Sequence, residues 1–167
     1  MDFSFKELAV DELSSGKVRR LYHYWDQLRG ERAHPSEADI QLADIADIEP
    51  YLMFAQITYP PFAICYSHIG AEIAHFYGRD VTGCYLHDLF EGPMLRHFEV
   101  PHRMAMTRPL PLLGSEAWPG TKSIFEWGIF PLSNDGITIT CNLVIEDYSL
   151  LNRNELPDFA YKKSTNK

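Results

Sequence analysis

A turn constrains this chain more than any other feature. Asn134–Asp135–Gly136 stands between two long runs, Lys122–Leu132 and Ile137–Tyr148, and a triplet of that composition supplies the positive φ that a hairpin reversal needs. In the second run Ile137, Ile139, Cys141, Leu143 and Ile145 alternate with Thr138, Thr140, Asn142, Val144 and Glu146, the period of two expected of a strand. A third run, Leu110–Trp118, comes before it across Pro119–Gly120. Two earlier strands are expected at Phe54–Tyr59 and Phe62–Ile69, parted by Pro60–Pro61, because proline can neither donate to a ladder nor prolong a strand. In the second of these Phe62, Ile64, Tyr66 and His68 share one face, and Ala63, Cys65, Ser67 and Ile69 the other. Apolar groups on both faces predict cover on both sides.

Helices precede and divide these strands. Val18, Leu21, Tyr22, Trp25 and Leu28 recur at helical spacing, with Ser14 or Ser15 to cap the start and Gly30 to stop the run. Ser36 caps a turn at Glu37–Asp39, and Pro50 opens another at Pro50–Met53. Ala71–Tyr77 is a short helix closed by Gly78. Pro93 begins a helix through His97 that Pro101 should end or kink, with a last segment reaching Met106. Helix, two strands, helices and three strands make an α+β domain with antiparallel neighbours. The expected layout is a frayed extension over 1–17, one domain over 18–149 and a polar tail over 150–167.

Charge and composition exclude several roles. Fifteen Lys plus Arg against 23 Asp plus Glu leave a net charge of −8, which argues against nucleic acid, since phosphate binding needs a basic stripe. Apolar stretches reach about five residues, as in Tyr51–Ala55, against roughly 18 for a membrane span. With acids near the N-terminus where a secretory signal carries bases, a cytoplasmic protein without membrane insertion is expected. Cys65, Cys84 and Cys141 form no C-x-x-C pair, so neither a disulfide framework nor a zinc ribbon is implied.

Catalytic templates are absent. The glycines spell neither G-x-G-x-x-G nor a P-loop, and no G-x-S-x-G presents a nucleophile. No two of the seven histidines stand at i, i+4, so no helix face offers a zinc pair. No catalytic residue and no metal ligand is assigned.

Thirteen residues carry a family resemblance: Trp25, Gly30, Arg32, Pro35, Ser36, Asp39, Gly70, Phe76, Gly78, Arg79, Asp80, Thr82 and Gly83. Across about residues 18–148 the chain resembles the single-domain PAS proteins common in alphaproteobacteria, the PAS_5-type family. The Phe-x-Gly-Arg-Asp-x-Thr-Gly element is the most specific part. His34 and His68 depart from the pattern, which more often carries a small residue and an Arg there.

The resemblance implies a PAS-like fold, with five antiparallel strands and short central helices enclosing a small cavity, behind an N-terminal amphipathic helix. It also implies a sensor that binds a small molecule and acts through a homodimer or an unidentified signalling protein. Cys84 lies in Gly-Cys-Tyr-Leu-His rather than the Asn-Cys-Arg-Phe-Leu-Gln of flavin photosensors. His97 lies fourteen residues after Gly83, close to the proximal ligand of haem-PAS proteins, so haem is the alternative cofactor and none is the first expectation. A small cup-shaped enzyme with a His general base is the other alternative. The expected ligand-binding residues are Tyr66, His68, His97, Phe98, His102, Trp127, Phe130 and Cys141, facing a small metabolite or acyl-like guest. Leu21, Tyr22 and Trp25 are expected at a dimer interface.

Overall fold

The computed structural model describes residues 4–118 and 121–151. Six strands form one antiparallel sheet in the order β1-β4-β5-β6-β2-β3: β1 Lys6–Glu7, β2 Leu52–Thr58, β3 Ala63–Ile69, β4 Leu112–Ala117, β5 Ile124–Leu132 and β6 Cys141–Asp147. Four helices, α1 Gly16–Arg29, α2 Ala71–Tyr77, α3 Leu86–Leu89 and α4 Gly92–Ala105, cover it. Glu37–Asp39, Leu42–Ile45 and Glu49–Tyr51 are single 3-10 turns between α1 and β2.

The expected α+β class holds, with one strand more than the five anticipated. The extra strand is β1, which extends the β4 edge through Lys6↔Ser115 and Glu7↔Gly114. Over residues 4–15 the segment expected to fray is pinned instead: Leu8 and Leu13 are buried, and Glu7 pairs with Arg108. Of the polar tail only Leu150 and Leu151 fall among the described residues, and the Pro119–Gly120 turn lies outside them.

α1 packs across one face of the sheet. Ser15 caps it by accepting from Val18 N at 3.1 Å and donates its own hydroxyl to Asp147 Oδ2 at 2.7 Å. The Glu126 carboxylate accepts from the Ser14 and Ser15 amides. Val18, Leu21 and Trp25 then meet Leu52, Phe54, Phe130, Leu132, Cys141, Leu143 and Ile145, and Trp25 Nε1 donates to Pro131 O at 3.0 Å. Leu21 and Trp25 are therefore interior residues of this chain rather than an interface, and Tyr22 alone of the expected trio stays half-buried. Tyr24 takes the buried place that periodicity gave to Tyr22.

The opposite face carries a second core, where Met53, Ala55, Ile57, Ile64, Tyr66, Trp127, Ile129 and Val144 lie under α2, α3 and α4. α2 ends on Gly78, whose φ of 78° is left-handed and costs glycine little. Gly83, also at positive φ, sends its N–H to Tyr66 O at 2.6 Å, and Tyr66 N donates to Cys84 O at 3.1 Å. The loop after α2 is thereby stitched to β3.

Three local expectations are corrected. α4 runs unbroken through Pro101; the ring removes one amide donor, and packing on the sheet outweighs that loss. β6 begins at Cys141, not Ile137, because the Asp135 carboxylate accepts from Ser133 Oγ and from the Ile137 and Thr138 amides. Those bonds draw the backbone into a wider loop and hold the Asp135 pKa far below the usual range. Finally, the β2–β3 register slips between Phe54 and Ala55: Phe54 faces His68 while Ala55 faces Tyr66. Ser67 is thus a bulge residue, and beyond it the strand's faces exchange.

Candidate functional site

His97, Phe98, Pro101 and His102 fall within an arc of about 140° on α4 and roof a pocket. The floor comes from four strands in register. Met53 stands opposite Val144, and Val144 opposite Ile129. One row along, Glu146 stands opposite Trp127, and Trp127 opposite Gly114. Gly114 is needed there, since a Cβ would sit 2.5 Å from the Trp127 indole. Tyr66 of β3 and Glu116 of β4 close the sides. The pocket is small, about 30 Å³, and open at its mouth. A neighbouring lobe of about 30 Å³, lined by Met94, Trp118, Phe125 and Tyr148, shares His97, Phe98 and Glu116 with it.

The polar groups are few and mostly paired. His97 Nε2 lies 3.1 Å from Glu116 Oε2, with both side chains about one-tenth exposed. Glu146 is buried and accepts on Oε2 from the Tyr77 hydroxyl at 3.1 Å and from the Tyr148 hydroxyl. Burial raises its pKa to about 7 despite those two bonds, and the nearby Glu116 charge adds to the rise. The Tyr148 phenol is pushed up as well, by burial first and then by Glu146. His102 Nδ1 lies 2.9 Å from Asn142 Nδ2, and complete burial lowers the His102 pKa to about 4, leaving a neutral ring. In the pocket wall Trp127 Nε1, a donor, is buried without a hydrogen-bond partner, as is Asn142 Oδ1 behind His102; His34 Nδ1 and Thr140 Oγ1 are in the same position elsewhere.

Five of the eight expected ligand residues line this pocket: Tyr66, His97, Phe98, His102 and Trp127. The other three do not. Phe130 and Cys141 belong to the α1 core, because strand alternation puts Phe130 on the opposite face from Trp127, and Cys141 faces α1 with Leu143 and Ile145. His68 is carried to that face by the Ser67 bulge, where it stands against Phe54 and 2.8 Å from Glu49 Oε1. Met53, Pro101, Glu116, Ile129, Val144 and Glu146 complete the lining without having been singled out. A signal for the acids existed, since a carboxylate inside a β-run of apolar neighbours is unusual unless it is partnered.

The residues present do not suit haem, whose iron takes a proximal imidazole nitrogen; His97 commits Nε2 to Glu116. Among the described residues no group of three His, Cys, Asp or Glu is placed to hold a metal ion, and no helix is long and apolar enough to cross a membrane.

A family model described as PAS domain matches residues 13–123, about two thirds of the chain. It reaches from the cap of α1 to the start of the β5 hairpin. No curated protein and no solved structure matches the chain.

Proposed function

The chain belongs to the PAS-domain family, and on that premise we propose that it is a sensory module that takes up a small organic molecule beneath α4. Occupancy is passed on by association with a second copy or a signalling protein, not by bond-making. One observation carries this reading: α4 roofs a small pocket lined by Tyr66, Phe98, Trp127 and four ionisable side chains. Enclosure by mostly apolar walls with a few converging polar groups is the usual form of a small-molecule site.

Native mass spectrometry and an absorbance spectrum of freshly purified protein test the proposal. A retained organic mass without a visible band is expected. A Soret or flavin band contradicts the cofactor-free reading. Light scattering tests the output: a homodimer is expected, and a strict monomer at high concentration leaves only the partner route. Since Leu21 and Trp25 are spent inside the chain, self-association uses other surfaces.

A further inference from the structure

β3 is the last strand of the sheet, and its outer edge is only partly covered. The loop after α2 pairs with it at Cys65 and Tyr66, with Tyr66 N donating to Cys84 O and Gly83 N to Tyr66 O. Beyond that pairing, Phe62, Ala63 and Ile64 border a groove that α3 and α4 close on its other sides. Gly92, at a φ of 55°, turns the chain between the two helices, and Leu86 and Leu95 line the groove from either side of that turn.

The groove holds about 270 Å³, against about 30 Å³ beneath α4. That comes close to the roughly 300 Å³ at which small-molecule sites begin. Its walls are the side chains of Phe62, Ile64, Leu86 and Leu95, with His87 and Glu99 as its polar members. Glu99 is already answered: its Oε1 accepts from Arg103 Nε at 2.7 Å and lies 2.6 Å from Arg103 Nη2. The central carbon of the same guanidinium stands 3.6 Å from the centre of the Phe62 ring. One ion pair and one aromatic face thus form a single corner of the groove. His87 stacks on Tyr85 with 5.2 Å between ring centres, and its side chain is 53% exposed.

We infer that this edge groove is a binding site separate from the space beneath α4, and that it takes a neutral organic molecule with an aromatic or branched apolar body. The four apolar walls favour the body by removing it from water. The rim charges decide the head group. A carboxylate would compete with Glu99 for Arg103, and an ammonium would compete with Arg103 for Glu99. Either disturbs a charge-assisted pair that is also stacked on Phe62. A hydroxyl or an amide leaves that pair closed.

α4 is a wall of both spaces. Leu95 and Glu99, four residues apart, turn one flank of the helix to the groove. His97, Phe98, Pro101 and His102 turn the neighbouring arc to the pocket beneath it. The two linings have no residue in common, so each set of side chains reports its own occupancy. The edge site therefore stands or falls without the pocket beneath α4.

Methyl and indole NMR spectra of the full chain, titrated at neutral pH with phenethyl alcohol, phenylacetate and phenethylamine, provide the test. The alcohol is expected to move the Ile64, Leu86 and Leu95 methyl signals to saturation while the Trp127 indole N–H and the Val144 methyls stay fixed. It should bind at least about fivefold tighter than either charged analogue. Ala63→Phe, which fills the groove from its β3 side, should weaken the alcohol at least about tenfold. If that variant fails to fold, Leu95→Trp fills the groove from α4 instead. Equal or tighter binding of the acid or the amine overturns the inference. Saturating shifts confined to Trp127 and Val144 overturn it and leave the pocket beneath α4 in place. No saturable shift in either set, or an unchanged affinity in a folded groove-filling variant, overturns it as well.

Discussion

The two faces of the sheet are built from the same strands and finished differently. Under α1, buried carboxylates are fully answered: Glu126 by the Ser14 and Ser15 amides, Asp147 by Ser15, Lys17 and Ser149. Hydrogen bonds to Ser149 and Ser15, with the Lys17 charge, hold Asp147 below its ordinary pKa against the cost of its burial. Under α4, burial raises Glu146 to about 7 despite the Tyr148 and Tyr77 hydroxyls and the nearby His97, and Trp127 Nε1 stays unpaired. Buried polarity alone therefore does not mark a site. Nor does one unpaired atom, since His34 Nδ1 beside Trp25 is unpartnered too; what distinguishes the α4 face is that four ionisable side chains converge on one space.

The contrast breaks or sharpens under mutation. The largest effect belongs to the closed face: Trp25→Ala should cost about 3–5 kcal/mol in urea denaturation, through lost packing and a cavity. Phe98→Ala, in the roof of an existing pocket, should cost only about 1–2 kcal/mol. Equal losses would mean that both faces are packed alike.

Next in size are two opposed pH dependences. Glu146 holds its proton up to about pH 7 when folded, against 4.5 for an ordinary Glu. Its contribution therefore favours the folded state at low pH and is lost as pH rises from 4.5 to 7. His102 is displaced the other way, to about 4 from 6.5, so its contribution is lost as pH falls from 6.5 to 4. Each amounts to about 3 kcal/mol, and in the wild type they largely offset. Glu146→Gln should therefore expose stability that climbs with pH, and His102→Gln stability that falls with it. Denaturation midpoints across that range read both slopes; two level profiles would show that neither group is displaced.

The smallest effect returns to the closed face. Ser15→Ala removes the α1 cap and the bond to Asp147, and should cost about 1–2 kcal/mol by thermal denaturation. A neutral result would mean that Asp147 does not depend on the α1 cap.

Much of the fold was legible because periodicity and punctuation agreed. Val18, Leu21 and Trp25 at helical spacing, Ser15 ahead of them and Gly30 behind, fix α1 within a residue or two. Gly78 marks the end of α2 in the same way. β1 was invisible because a two-residue strand carries no period; it exists through its pairing with β4. The site was half legible. α4 displays its residues by helical geometry, so His97, Phe98 and His102 were found. On strands, everything depends on parity. One bulge at Ser67 moved His68 to the far face. On β5 Trp127 and Phe130 are expected together although alternation puts them on opposite faces, and α1 claims Phe130 and Cys141 while the pocket takes Trp127, Val144 and Glu146. Which helix covers which face is a tertiary fact, and alternation alone does not encode it.

The most direct measurement uses the indoles as reporters of the two faces. In a proton–nitrogen correlation spectrum, the Trp25 N–H, bonded to Pro131 O, and the Trp127 N–H, unpartnered, give separate signals. On titration with an organic molecule retained through purification, the Trp127 signal should move and saturate while the Trp25 signal stays fixed. A Trp25 signal that moves while Trp127 stays still, or no movement of either with bound ligand present, would contradict the account.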